Sequence, residues 1–156
     1  MPIEQKIAKI LIKNKKTLSL AESCTGGLLS NRLTNISGSS KFLKTGIVAY
    51  SNEAKIKFLK VPSGLIKTYG AVSSQVAIKM ANGARQALNA DYGIGITGIA
   101  GPTGGTKNKP VGLVFIAGSS KKQDICIQCQ FKGSRLAIKS KICKKALELL
   151  FVLLYE

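Results

Sequence analysis

The sequence predicts a three-layer α/β domain built on a mixed sheet. Three observations predict it. Short strand-like runs alternate with segments of helical period from residue 2 to residue 97. Two strand-like runs then follow each other across a polar turn, which reads as a hairpin. The 156 residues, 45% of them hydrophobic, suit one domain over 1–156 with a real core.

Ile3, Ile7, Ile10 and Leu11 recur at helical spacing and predict an amphipathic helix over 2–15. Thr17 to Ala21 reads as a strand and Gly27 to Asn35 as a second helix, followed by a Gly-Ser-Ser loop at 38–40. Gly46 to Tyr50 reads as a short buried strand. Ser51 is placed to cap a helix running to about Lys60, with Glu53 in its first turn, and Pro62-Ser63-Gly64 breaks it. Ser73 or Ser74 caps a longer helix to about Asn89, whose predicted inward face is Val76, Met80, Ala84, Ala87 and Leu88. Tyr92 to Thr97 is a strand, and Gly98 to Pro110 is a loop rich in Gly and Pro. Val111 to Gly118 and Ile125 to Phe131 form the predicted hairpin. Ser134 caps a last helix over 135–154, with Leu136, Ile142, Cys143, Ala146, Leu147 and Leu150 facing the core.

Composition narrows the chemistry. There is no histidine, which removes Ser-His-Asp and Cys-His catalysis and His-based zinc sites. The seven acids (Glu4, Glu22, Glu53, Asp91, Asp124, Glu148 and Glu156) supply paired-carboxylate glycosidase chemistry and carboxylate-rich cation sites poorly. An enzyme made from this menu draws its nucleophile from Ser, Thr or Cys and its base from Lys, Tyr or a single Glu. The 24 basic residues give a net charge of +17. Such a balance suits either a polyanion partner or lysines spread over solvated faces. The lysines are scattered and no nucleic-acid-binding signature is present, which favours the second reading.

Cys24, Cys126, Cys129 and Cys143 are expected as free thiols in a reducing cytoplasm, because the first turn carries Glu4 and Lys6 instead of a signal peptide's apolar stretch. Cys126 and Cys129 have C-x-x-C spacing but lie in a strand-like run, so they should face opposite sides. The apolar tail Leu147 to Tyr155 contains Glu148 and is too short for the roughly 20 residues that span a bilayer.

Ligands in α/β sheets gather beyond the carboxyl ends of strands. Three such ends stand out. Ala21-Glu22-Ser23-Cys24-Thr25-Gly26-Gly27 places a small hydroxyl residue at a strand-to-helix junction, beside free N–H groups and two glycines that permit close approach. Tyr50-Ser51-Asn52-Glu53-Ala54-Lys55 sets a Tyr at a strand end and a Lys one turn into a helix. A partly desolvated Lys can serve as a base, which with Ser23 gives a histidine-free nucleophile and base pair. The loop from Thr97 carries Gly98, Gly101, Gly104 and Gly105. It is not a phosphate-binding P-loop, since Gly104-Gly105-Thr106-Lys107 has the wrong order. Ser119-Ser120-Lys121-Lys122 matches S-x-x-K formally but falls in the hairpin turn.

These segments, in this order, resemble the CinA C-terminal family, which includes the nicotinamide mononucleotide amidohydrolases. The likeness extends through Gly38-Ser39-Ser40, Gly70-Ala71-Val72-Ser73, Lys109-Pro110-Val111-Gly112 and Phe131-Lys132-Gly133-Ser134-Arg135, nearly the whole chain. Ser134 departs from the acidic or amide residue more usual there. The resemblance implies an α/β/α sandwich with a mixed, mostly parallel sheet. It implies metal-independent hydrolysis of the carboxamide of nicotinamide mononucleotide without a cofactor, and a homo-oligomer, a dimer being the simplest. It also implies a stand-alone version of a domain that elsewhere follows a larger N-terminal one. Carried over, Ser23 is the nucleophile, Lys55 the base with Tyr50 relaying or positioning, and Thr97 joins this catalytic set. Glu22, Cys24, Thr25, Gly26, Gly27, Asn52, Gly98, Gly101, Gly104 and Arg135 are implied to surround the substrate. Arg135 and the glycine loop are the phosphate candidates, and Glu22 orients Lys55 or pairs with it. Cys24 is a rival nucleophile. The alternative function is a non-catalytic module that binds a nucleotide or nucleic acid.

Overall fold

Strand alternation sets the layers. In the computed structural model, which describes residues 1–156, the elements run α1 (Ile3–Lys13), β1 (Leu18–Glu22), α2 (Leu28–Thr34), a 3-10 turn (Ser39–Lys41), β2 (Leu43–Val48), α3 (Asn52–Leu59), α4 (Ser63–Tyr69), α5 (Ser74–Ala87), β3 (Tyr92–Gly98), β4 (Leu113–Ser120), β5 (Asp124–Gln130) and α6 (Arg135–Leu153). The sheet order is β2-β1-β3-β4-β5. β1 pairs in parallel with β2 and β3, while β4 is antiparallel to both β3 and β5. Four strands therefore point one way and β4 alone runs against them.

Leu18 and Leu20 of β1, Ile94 and Ile96 of β3, and Val114 and Ile116 of β4 share one core with α1, α2 and α6. The intervening positions face α3, α4 and α5: Ala21 packs on Val76 and Met80, and Ala117 on Ala77 and Ala81. α5 lies close on β3 because the residues beneath it are glycines. A Cβ on Gly95 would stand 2.4 Å from the Ala77 carbonyl oxygen and 2.6 Å from the Ala81 nitrogen. The α/β/α sandwich is thus as predicted.

Several local expectations need correction. Residues after Pro62 form α4, a seven-residue helix with no fully buried residue, which meets the core only through half-buried Leu65 and Ile66 and so offers too short an apolar pattern to read. β2 begins at Leu43 and ends before Tyr50, and its residues alternate between half-buried and exposed as befits an edge strand. Ala87 and Leu88 fall on the frayed, exposed end of α5, and Leu136 points outward from the first turn of α6. Cys126 packs toward Ala77 and Ala117 while Cys129 packs on the opposite core, as the strand period requires, and all four cysteines are free thiols. No helix is long and apolar enough to cross a membrane.

Candidate active site

The topology brings the three segments together. β2, β1 and β3 are parallel, so their carboxyl ends share one edge of the sheet. The chain leaves β1 through α2 on one face and returns from β2 to β3 through α5 on the other. The boundary between β1 and β3 is therefore a switch point, where crevices open in such sheets. Leu113 at the start of β4 pairs with Gln130 at the end of β5, which delivers the N-terminus of α6 to the same edge.

A cleft of about 420 Å³ lies there, a size suited to a small ligand. Ser23, Cys24, Tyr50, Asn52, Lys55, Thr97, Gly98, Gly101, Gly104 and Arg135 all border it, as do Ala71 and Val72. Its only basic side chains are Lys55 and Arg135, and no acidic one borders it. Glu22, Thr25, Gly26 and Gly27 do not border the cleft.

Ser51 caps α3, its hydroxyl accepting from Ala54 N–H at 3.0 Å, and this sets the first turn that carries Lys55 inward. Lys55 is 2% exposed. Its Nζ donates to the Ala49 carbonyl at 2.9 Å and lies 2.9 Å from Ser23 Oγ. No carboxylate pairs with it. Burial pulls its pKa below the ordinary lysine value, a shift that the nearby Cys24 partly opposes. An amine with a lowered pKa in hydrogen-bond reach of a serine hydroxyl is an arrangement that can act as base and nucleophile. Cys24 is a poor competitor: burial pushes its thiol up to about 11, and its side chain belongs to the core.

Three expected roles change. Tyr50 is exposed at the rim, and its hydroxyl accepts from Arg135 Nη2 at 2.9 Å with no bond to Lys55 or Ser23. Arg135 Nη1 donates to the Gly101 carbonyl at 2.6 Å, so one guanidinium joins the glycine loop to the β2–α3 segment. Gly101 must be glycine, with φ at +75° and a Cβ position 2.3 Å from Val111. Glu22 neither orients nor pairs with Lys55. It lies on the other face of β1, where its carboxylate accepts from Thr25 Oγ1 and from Leu29 and Ser30. Thr97 is buried with its hydroxyl donated to the Ala71 carbonyl at 2.8 Å, so it fixes the cleft wall at 70–73.

The profile of the CinA C-terminal domain matches residues 1–154. The chain belongs to this family. Among its relatives, a CinA-like protein of Dictyoglomus thermophilum is 56% identical over 114 residues, 73% of this chain and 28% of that one. A CinA-like protein of Koribacter versatilis is 48% identical over 137 residues, 88% of this chain and 33% of that one. The chain spans about a third of the length of the curated relatives it matches. Among solved CinA structures, the competence/damage inducible protein CihA from Agrobacterium tumefaciens superposes with a TM-score of 0.91 at 36% identity, covering 100% of this chain and 98% of that one. A CinA superfamily protein from Escherichia coli gives 0.93 at 35% identity, with 97% and 88% covered.

Proposed function

We propose that this CinA-family domain is an amidohydrolase that converts nicotinamide mononucleotide and water to nicotinic acid mononucleotide and ammonia. The observation that carries the reading is the 2.9 Å approach of buried, carboxylate-free Lys55 to Ser23 Oγ in a cleft whose rim holds Arg135. Family membership supports the choice of substrate. The net charge of +17 draws an anionic nucleotide toward the surface.

Neutral Lys55 takes the Ser23 proton as Oγ bonds to the carboxamide carbon. The developing oxyanion needs main-chain donors. Gly26 N–H is committed to the Ser23 carbonyl at 3.0 Å and Leu28 N–H to the Thr25 carbonyl at 3.1 Å, whereas Cys24, which borders the cleft, has an N–H committed to no main-chain carbonyl and offers it to the oxyanion. Protonated Lys55 returns its proton to the departing nitrogen, and the C–N bond breaks with release of ammonia. Water, deprotonated by Lys55, then cleaves the ester and restores Ser23. Arg135 offers the substrate phosphate a bidentate donor at the rim, beside Tyr50.

Ammonia release from nicotinamide mononucleotide, measured without added metal on wild type and Ser23→Ala, tests the proposal. Turnover in the wild type that vanishes in the variant is expected. Equal turnover in Ser23→Ala moves the chemistry to another group, Cys24 first, and no turnover by folded wild type sinks the substrate.

A further inference from the structure

We infer that Glu22 is a positioning residue for Ser23: its buried carboxylate clamps the Thr25 hydroxyl and the first turn of α2, and so holds the intervening turn with Ser23 against Lys55. The inference rests on the reading of Ser23 as nucleophile.

α2 lacks a cap of its own. Its N-cap is Gly27, at φ +99°, with no side chain to accept from the first turn. Glu22 fills that need from outside the helix. Oε1 accepts from Thr25 Oγ1 at 2.6 Å and Leu29 N–H at 3.0 Å, and Oε2 from Ser30 N–H at 2.9 Å and Ser30 Oγ at 2.6 Å. Both oxygens are saturated, and the residue is 0% exposed. A carboxylate facing the positive end of a helix is stabilised by its dipole as well as by these charge-assisted bonds. Space for the Ser30 hydroxyl exists because the adjoining β2 residue is Gly46, where a Cβ would lie 2.1 Å from Ser30 Oγ.

The consequence for Ser23 is geometric. Glu22 and Ser23 are consecutive and face opposite sides of the sheet, Glu22 toward α2 and Ser23 toward Lys55 of α3. The turn 23–27 is anchored by β1 before it and by the Glu22 clamp within and after it, and is closed by the Gly26 N–H bond to the Ser23 carbonyl. None of the four donors belongs to the cleft lining. Glu22 therefore acts through the turn and touches no reacting atom.

The test uses the whole chain and a fluorophosphonate, whose phosphorus bonds to Ser23 Oγ as fluoride leaves and Lys55 takes the proton. The labelling rate is followed by intact mass across pH, beside melting temperature and ammonia release from nicotinamide mononucleotide. Labelling decides this inference, and ammonia release separately decides the substrate. Glu22→Gln is expected to label at least about tenfold more slowly, on a scale where a misplacement of about 1 Å costs about a hundredfold. Its pH midpoint should not move, because Glu22 lies on the opposite face of β1 and bonds only to Thr25, Leu29 and Ser30, while Lys55 meets Ser23 and Ala49. Thr25→Ala should slow labelling and Thr25→Ser should restore it. A purely structural Glu22 lowers the melting temperature without slowing the folded protein. Wild-type labelling in folded Glu22→Gln, a shifted midpoint, or a wild type not labelled at Ser23 overturns the inference. Should Glu22→Gln fail to fold, Thr25→Ala and Ser30→Ala decide, and wild-type rates in both overturn it.

Discussion

Replacing Lys55 with Met separates its chemical role from its cost to the fold. Met keeps the length of the buried stem and removes the amine. General base catalysis contributes about a hundredfold to ten-thousandfold, so deamidation by Lys55→Met should fall by about that factor. The stability effect has a calculable pH dependence. The variant leaves the Ala49 carbonyl without its donor, a loss of about 1–3 kcal/mol, while it relieves the burial of an unpaired amine. Lys55 has a lowered pKa in the folded state, so between that value and the ordinary lysine value the unfolded chain binds more protons. Wild-type stability therefore rises with pH across this window, and Lys55→Met lacks that rise. The variant's deficit should be smallest in acid, where the wild type buries a bare ammonium, and should grow with pH until Lys55 would be neutral in both states. Urea unfolding across pH measures the deficit, and ammonia release measures the rate. A deficit independent of pH refutes the lowered pKa. Activity within about threefold of wild type refutes the base role, since even modest proton-transfer assistance exceeds that.

Deamidation should also depend on pH in the wild type, rising through a midpoint below the ordinary lysine range as Lys55 loses its proton, and a rate flat from neutral to alkaline pH would remove Lys55 as the base. Arg135→Ala should raise KM for nicotinamide mononucleotide about tenfold to a hundredfold, the equivalent of a charged hydrogen bond of about 1.5–3 kcal/mol, with a smaller change in kcat; an unchanged KM would put the phosphate elsewhere. Gly95→Ala forces a Cβ onto the backbone of α5 and should destabilise by about 1–3 kcal/mol, or about 2–12 °C in melting temperature, whereas a melting temperature equal to wild type would mean that α5 can ride outward freely.

The regular elements were legible wherever a period met a boundary signal. α1, α3, α5 and α6 follow from apolar spacing with Ser51, Ser73 and Ser134 as caps, all three of which accept the expected N–H. α4 was not legible because Pro62 starts it and only two adjacent residues on it, Leu65 and Ile66, reach the core, both half-buried. Leu88 and Leu136 misled because apolar identity was read as burial at helix ends, where a side chain can swing clear of the core. In the candidate site, residue types and segment order were readable, and Ser23, Tyr50, Lys55 and Thr97 do border one cleft. Their hydrogen bonds were not. Whether the Tyr50 hydroxyl meets Lys55 or Arg135 depends on how α6 docks, 85 residues away in sequence. The part played by Glu22 depends on a turn whose closure brings residues seven and eight positions on to its carboxylate. The roles of Ala71 and Val72 had no signal beyond their place in a family-like segment, because small apolar residues announce neither wall nor core.

The opposite orientation of Glu22 and Ser23 bears on how the protein folds. One peptide bond links a group whose partners lie in the α2 layer to a group whose partner lies in the α3 layer. Neither layer alone can assemble the pair. A partly folded chain with one helical layer docked would keep much of its secondary structure and yet present Ser23 out of register with Lys55. Labelling of Ser23 during refolding should consequently lag the recovery of helix signal and coincide with the slower of the two docking events. The reactivity of Ser23 then serves as a chemical clock for completion of the sandwich.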